Sequence, residues 1–172
     1  MIRKRSLVIL LILMAALSAL VMCSCVVSNI PDSIPAFTSY DLNGNEADES
    51  VFANADITVV NIWGTFCGPC KDEMPDLAEW EKELPDNVQI IGIVCDVPNM
   101  EAAEYKAAQE IVAENGIRYT NIIAAGKMAD YMNNVAAVPT TLFVDSEGHF
   151  LHRPFVGADV GGYKSIVNSL LK

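Results

Sequence analysis

The sequence predicts one α/β domain built on a central mixed sheet flanked by helices. Residues 57–63 and 89–94 are apolar, β-branched segments with the composition of parallel strands buried on both faces. Residues 69–84 between them are helical in composition and long enough for a right-handed crossover, which gives a βαβ unit. The total length of 172 residues suits one domain with a full hydrophobic core.

The second half of the chain predicts a helix, a hairpin and a closing helix. Asn99 is the expected N-cap of a helix that runs to about residue 115 and stops at Gly116. Residues 140–144 and 149–156 are expected to pair as an antiparallel hairpin, which makes the sheet mixed. The last helix is predicted from apolar residues at helical spacing: Tyr163, Ile166, Val167, Leu170 and Leu171.

The first 25 residues are predicted to be an N-terminal targeting segment, either a lipoprotein signal or a membrane anchor. Three basic residues at positions 3–5 precede an uncharged, mostly apolar stretch at residues 7–27, as in a lipoprotein signal or an uncleaved N-terminal anchor. For a lipoprotein, the candidate for lipidation is Cys25, with Cys23 as the alternative. Both readings place the domain at the outer face of a bacterial cytoplasmic membrane, because the basic residues stay inside.

The charge of the chain excludes one class of partner. Residues 26–36 contain two prolines and two serines and are predicted to be a linker, which leaves residues 37–172 as the folded domain. Removing residues 1–25, with three basic and no acidic side chains, leaves 8 basic and 22 acidic ones, a net charge of −14. Such a domain repels a phosphate backbone, so we expect no nucleic-acid partner.

The motif at residues 63–71 (WGTFCGPCK) carries the predicted chemistry. It lies where a predicted central strand gives way to a helix. Thiol-disulfide exchange needs a thiolate nucleophile and a second thiol that resolves the mixed disulfide. Cys67 at the helix start is the predicted nucleophile, because the helix N-terminus stabilises a thiolate, and Cys70 is the resolving cysteine. Pro69 suits the first helical turn.

A zinc site is the competing interpretation of two cysteines spaced in this way. His149 and His152 would have to complete the ligands, but their spacing in a predicted strand points them to opposite faces. A single Cys-x-x-Cys beside a βαβ pattern therefore favours redox chemistry, and we expect neither a metal nor a cofactor.

These residues resemble the membrane-tethered thioredoxin-like proteins of the TlpA/ResA type. The resemblance includes residues 63–71, 73–75 (EMP) and 138–145 (VPTTLFVD), together with 35–37 (PAF) and the turn at 41–44 (DLNG). It implies a thioredoxin-like fold with an N-terminal β extension. It also implies a thiol-disulfide oxidoreductase.

The resemblance assigns roles around the two cysteines. It makes Pro139 a cis-proline that packs against the active-site disulfide, and the backbone of Val138 a strand partner for the substrate. Trp63, Gly68 and Pro69 are supporting residues, with Trp63 either shielding the disulfide or filling the core. Phe66 stands where tryptophan is often found before the first cysteine, which bears on substrate contacts.

Glu73 is the candidate proton carrier. Cytoplasmic thioredoxins carry a buried aspartate where this chain has Asn61, and a neutral amide cannot accept a proton. The resemblance implies that Glu73, one helical turn after Cys70, takes over this role and affects the pKa of the thiols. The alternative is a first-turn glutamate that complements the helix dipole.

The function implied is the reduction of protein disulfides outside the cytoplasm by a monomer. Gly68-Pro69 is the dipeptide of reducing thioredoxins, and the implied substrates include the cysteines of apocytochrome c. A membrane thiol carrier would supply the electrons. The alternatives are a peroxiredoxin-like peroxidase, a disulfide oxidase or isomerase, and a copper-binding module. Cys95 is expected to be a buried inert thiol, or alternatively a third redox thiol.

Overall fold

A five-stranded mixed sheet forms the centre of the computed structural model, which describes residues 32–172. The strands are β1 (Thr38–Tyr40), β2 (Glu46–Asp48), β3 (Ile57–Trp63), β4 (Val88–Val94), β5 (Asn121–Ile123), β6 (Thr140–Val144) and β7 (Phe155–Val156). The order in the sheet is β5-β4-β3-β6-β7. The pairs β3-β4 and β4-β5 are parallel, while β6 and β7 run antiparallel to their neighbours. The predicted mixed sheet is therefore confirmed.

Helices cover both faces of this sheet. They are α1 (Gly68–Glu81), α2 (Ala103–Glu114), α3 (Lys127–Met132) and α4 (Val160–Leu170), with a 3-10 helix at Glu49–Asn54. Residues of α1, α2 and α4 pack on one face, while α3, the 3-10 helix and the segment that precedes β1 pack on the other. Alternate side chains of a strand point to opposite faces of the sheet, and both faces are covered here, so β3 is apolar at almost every position. All seven of its residues are buried.

The hairpin β1-β2 forms a separate two-stranded sheet, as expected for an N-terminal β extension. Its turn is held by Asp41, whose Oδ1 accepts hydrogen bonds from the backbone N–H groups of Asn43 and Asn45, both at 2.8 Å. Gly44 adopts φ +83 in this turn, in the left-handed region that favours glycine.

The predicted second strand of the hairpin at residues 149–156 is wrong over most of its length. Only Phe155–Val156 forms a strand, and it pairs with the start of β6. The turn forms as expected, since Asp145 accepts from the N–H groups of Glu147 and His149. Pro154 just before β7 has no N–H to donate to a ladder, which limits pairing there.

The predicted start of α2 is also wrong. The helix begins at Ala103, after an Ala102 N-cap without a side-chain hydrogen bond. The Asn99 side chain instead accepts from the N–H of Glu101 and holds a turn before the helix. Gly116 does follow the helix end, with φ +68. Strand β5 and helix α3 were not predicted, because three and six residues are too short to show a period.

Residues 1–31 lie outside the described residues. This range holds the predicted N-terminal targeting segment, Cys23 and Cys25, and part of the predicted linker. Among the helices within residues 32–172, none has the length and apolar character needed to cross a bilayer.

Candidate functional site

Cys67 and Cys70 form a disulfide at the N-terminus of α1. Cys67 is the N-cap residue, and its Sγ accepts a hydrogen bond from the N–H of Cys70 at 3.2 Å. Cys67 is 5% exposed and Cys70 only 1%. Free N–H groups and the positive end of the helix dipole would stabilise a Cys67 thiolate once the disulfide opens. This geometry suits the predicted nucleophile and resolving cysteine.

The loop between β3 and Cys67 is fixed to the end of β4. The N–H of Thr65 donates to the Asp96 carboxylate at 3.0 Å, and its hydroxyl donates to the same carboxylate. Lys71 donates to the carbonyl of Thr65 at 3.3 Å. A Cβ at Gly64 would lie 2.6 Å from the ring of Phe66, so a side chain there would displace this ring. Sequence reasoning did not find Asp96, because the contact joins two strand ends.

The Val138–Pro139 peptide bond is cis, as the resemblance implied. It precedes β6 and lies against the disulfide, where the Sγ of Cys67 is 3.6 Å from the carbonyl oxygen of Val138. The backbone N–H of Gly157 donates to the carbonyl of Pro139 at 2.9 Å. An extended substrate segment placed here would run beside the sulfur of Cys67.

Trp63 is fully buried in the same core cluster as both cysteines. Its Nε1–H donates to the side-chain oxygen of Asn121 at 2.9 Å. A Cβ at Gly92 would clash with that oxygen, so the glycine makes room for the contact. Trp63 therefore fills the core beneath the disulfide.

Glu73 is buried one turn after Cys70, with 5% of its surface exposed. Its Oε1 accepts from the Asn61 amide at 2.8 Å, and its Oε2 lies 3.0 Å from the Tyr163 hydroxyl. Burial raises the pKa of Glu73 above its ordinary value; the hydrogen bond from Asn61 opposes the shift, and the negative charge of Asp159 adds to it. The site thus holds a carboxyl group that binds its proton more tightly than usual.

Sequence reasoning missed two members of this buried polar cluster, which consists of Asn61, Glu73, Thr141 and Tyr163. Asn61 also donates to the Thr141 hydroxyl at 3.3 Å, while its own Oδ1 is buried without a partner among residues 32–172. Tyr163 was predicted only as part of an apolar helix face. The available signal was its hydroxyl, because a buried tyrosine needs a hydrogen-bond partner.

An apolar groove lies next to Cys67, whose Sγ is 3.6 Å from the carbonyl oxygen of the groove residue Val138. It has a volume of about 360 Å³ and is lined by Phe66, Cys95, Met132, Val135, Ala136, Ala137 and Val138. Phe66 is 70% exposed, which is unusual for a large apolar side chain beside a reactive group. The expectation that Cys95 is fully buried is wrong, since its thiol is half-buried and lines this groove. Burial, and then the charge of Asp96, raise the pKa of this thiol.

The two histidines of the zinc interpretation do not meet at the cysteines. His149 contacts the carboxylates of Asp145 and Glu147 at 3.4 and 3.5 Å, and His152 packs edge-on against Phe143. The argument from opposite strand faces was wrong, because this segment is not a strand. Within the described part of the chain, no group of three or more His, Cys, Asp or Glu side chains is arranged to hold a metal ion.

A family model described as the AhpC/TSA family matches residues 30–153 of the chain. Among curated proteins, the thiol:disulfide interchange protein HelX of Rhodobacter capsulatus is 34% identical over 61% of this chain and 58% of its own. The thiol-disulfide oxidoreductase ResA of Bacillus anthracis is 27% identical over 66% of this chain and 62% of its own. The chain thus spans less than two thirds of these relatives.

Solved structures confirm the thioredoxin-like fold. A DsbF homologue from Corynebacterium diphtheriae is 27% identical, with 81% of this chain and 85% of that chain aligned at a TM-score of 0.64. A thioredoxin family protein from Chlorobium tepidum, described as a thiol:disulfide interchange protein, aligns over 83% of this chain and 97% of that one. Its TM-score is 0.67 at 21% identity.

Proposed function

The chain belongs to the AhpC/TSA family, and we propose that it is a thiol-disulfide oxidoreductase that reduces protein disulfides outside the cytoplasm. The observation that carries the proposal is the Cys67–Cys70 disulfide at the start of α1, beside the Val138 carbonyl. The names of the matched relatives, HelX and ResA, support the same chemistry.

The first step opens the substrate disulfide. The Cys67 thiolate attacks one substrate sulfur, a new S–S bond forms, and the second substrate sulfur leaves as a thiolate that takes up a proton. An extended substrate strand would pair with the backbone at Val138, and its apolar side chains would contact Phe66 and the apolar groove. Binding there keeps the substrate sulfur close to Cys67.

The second step releases the reduced substrate. Cys70 loses its S–H proton and attacks the Sγ of Cys67, which forms the enzyme disulfide and expels the remaining substrate thiolate. We propose that the Glu73 carboxylate accepts the Cys70 proton, because it lies one helical turn away and its pKa is raised by burial. A membrane dithiol carrier would then return two electrons to the disulfide, becoming a disulfide itself and releasing its two protons to solvent, while the proton on Glu73 returns to Cys70 and Cys67 is again a thiolate.

The extracytoplasmic location and the membrane tether are proposed from the sequence. Residues 1–25 combine a basic start with an apolar stretch, and we propose Cys25 as the lipidated residue, with an uncleaved anchor as the alternative. The linker at residues 26–36 would hold the domain near the membrane, where a dithiol carrier can reach it. The cysteines of apocytochrome c are the proposed substrate class, and a monomer is sufficient for both steps.

A peroxidase is the second candidate, because the matched family description includes AhpC and TSA. A peroxidase would need Cys67 to react with peroxide, and Thr65 is the nearby hydroxyl. The Thr65 hydroxyl instead donates to the Asp96 carboxylate, and the backbone N–H of Thr65 donates to the same carboxylate. The arrangement favours disulfide exchange over peroxide reduction.

The experiment is an insulin-reduction assay on three serine variants. We expect Cys67→Ser to lower the rate to that of dithiothreitol alone, because a serine hydroxyl is not ionised at neutral pH. Cys70→Ser should accumulate mixed disulfides with substrate, since nothing resolves them. Ala113→Ser, at an exposed position of α2, is the control and should retain activity.

Two results would contradict the proposed function. Full insulin reduction by Cys67→Ser would remove the nucleophile assignment. Turnover of hydrogen peroxide that persists in Cys70→Ser, together with no insulin reduction by the unmodified protein, would establish the peroxidase instead.

A further inference from the structure

The Tyr163 hydroxyl has one hydrogen to donate; its oxygen has three polar contacts within 3.3 Å, and the Thr141 side chain is a further polar neighbour. Its oxygen lies 2.6 Å from the Gly157 carbonyl, 3.0 Å from Oε2 of Glu73 and 3.3 Å from the N–H of Asp159. The Gly157 carbonyl can only accept and the Asp159 N–H can only donate. The hydroxyl hydrogen therefore belongs to Gly157, the shortest of the three contacts.

This assignment leaves the contact between Tyr163 and Glu73 without a hydrogen unless Glu73 carries one. An ionised carboxylate would place two acceptor oxygens against each other in a buried site, which is unfavourable. A neutral carboxyl group donates from Oε2 to the tyrosine oxygen, and its Oε1 then accepts from the Asn61 amide at 2.8 Å. In that arrangement both oxygens of Glu73 and the hydroxyl of Tyr163 have hydrogen-bond partners.

We infer that Tyr163 is a positioning residue that holds Glu73 in its protonated form while Cys67 and Cys70 are oxidised. The inference rests on the proposed function, in which Glu73 receives the proton of Cys70 as the enzyme disulfide forms. The oxidised protein is the product of that step, so the proton held against Tyr163 is the one released by Cys70. Reduction of the disulfide would return it.

The charged and titratable groups around Glu73 favour this form. Asp159 at the N-terminus of α4 disfavours a second negative charge, and Tyr119 faces both Glu73 and Glu81. None of the ion pairs within residues 32–172 includes Glu73. The disulfide itself is uncharged. Burial raises the pKa of Tyr163 to about 12, so this hydroxyl keeps its hydrogen at physiological pH.

The position of the tyrosine oxygen is fixed from the substrate side of the site. Gly157 accepts from Tyr163 with its carbonyl, while its N–H donates to the carbonyl of Pro139 at 2.9 Å. Gly157 has φ +103, which a side chain would strain. Through its N–H and its carbonyl, Gly157 therefore connects the cis Val138–Pro139 peptide to Tyr163, and Tyr163 contacts the proton held by Glu73.

The first test is infrared spectroscopy of the oxidised, unmodified protein at pH 7, with Glu73→Gln as the subtraction reference. We expect a C=O stretching band of a protonated carboxyl group that is absent from the Glu73→Gln spectrum and disappears on alkaline titration. Absence of this band at pH 7 would overturn the inference. The measurement does not depend on how any tyrosine variant folds.

The second test is the direction in which Tyr163→Phe shifts the titration of this band. Loss of the acceptor should lower the pKa of Glu73, with roughly a fivefold larger ionisation constant for about 1 kcal/mol of hydrogen bond. If Tyr163 instead donates to Glu73, the same variant raises the pKa. A raised or unchanged pKa would overturn the inference.

The control for this variant is Tyr105→Phe. It removes a hydroxyl that donates to the Asp41 carbonyl at 3.2 Å, away from the site, and should leave the Glu73 titration unchanged. The aromatic ring of Tyr163→Phe keeps the edge contacts with Phe143 and Phe155, which preserves the packing. Both tests use the oxidised protein without substrate, so loss of insulin reduction and loss of the infrared band are separate results.

Discussion

The two sides of the disulfide differ in polarity and in exposure. On one side lies the buried polar cluster, where Glu73 is 5% exposed and bonded to Asn61. On the other side lies the apolar groove, where Phe66 is 70% exposed. The first side has polar groups shielded from water, and the second has an apolar surface open to it.

This difference separates two tasks of disulfide exchange. Removal from water raises the proton affinity of a carboxyl group, and the proposed proton carrier Glu73 is buried. A protein substrate can bind only to a surface it can reach, and exposed apolar area is stabilised by covering it. The Sγ of Cys67 lies 3.6 Å from the carbonyl oxygen of Val138, which lines the groove, and Glu73 follows one helical turn after Cys70.

The largest effect is expected from Glu73→Gln, which removes the proton acceptor and keeps the shape. Insulin reduction at pH 7 should fall by about 10²-fold, the typical contribution of a general base. Asp76→Asn, an exposed position on the same helix, is the matched control and should change the rate little. A Glu73→Gln variant with the rate of the unmodified protein would remove the buried polar cluster from the mechanism.

The same variant should change how stability depends on pH. Because the pKa of Glu73 is raised above its ordinary value of 4.5, the unfolded chain loses this proton first as pH increases. The stability of the unmodified protein therefore falls from about pH 4.5 up to the pKa of Glu73 in the folded protein. Glu73→Gln does not lose this stability. Above this pH range its Tm should therefore exceed that of the unmodified protein, by about 3 °C for each kcal/mol of unfolding free energy that the unmodified protein loses. An identical pH profile in thermal unfolding would contradict the raised pKa.

A smaller effect is expected from Phe66→Ala on the groove side. Loss of apolar contact with substrate should raise KM about fivefold, equivalent to about 1 kcal/mol, while kcat stays unchanged. The free energy of unfolding should not change, because Phe66 is 70% exposed. Met100→Ala, an exposed apolar position outside the groove, serves as the control. An unchanged KM would show that substrate does not cover this surface.

The smallest effect is expected from Cys95→Ala. The thiol lines the groove, but burial and Asp96 raise its pKa, so little thiolate is present at neutral pH. Iodoacetamide should label Cys95 in the oxidised protein more slowly than a free peptide thiol, and the variant should retain activity within about twofold. Rapid labelling, or a large loss of activity, would instead support the third redox thiol.

The strands with continuous apolar segments were predictable from the sequence. Strand β3 was found at its observed bounds because consecutive residues are apolar and mostly β-branched, and helix α1 was found because the segment after β3 is helical in composition and long enough for a crossover. The hairpin strand at residues 149–156 failed because Pro154 and the contacts of the turn interrupt pairing. Short elements such as β5 depend on a neighbouring strand for their hydrogen bonds, and sequence patterns do not record that neighbour.

The sequence by itself pointed to the proposed chemistry. Two cysteines spaced in this way at the start of a helix after a buried strand indicate disulfide exchange, and the resemblance to the TlpA/ResA type implies the roles of Glu73 and Pro139. Only the tertiary structure decided how protons are held, because Tyr163 is 90 residues from Glu73 and reaches it through the packing of α4 on α1. Hydrogen-bond partners brought together by packing leave no pattern along the chain.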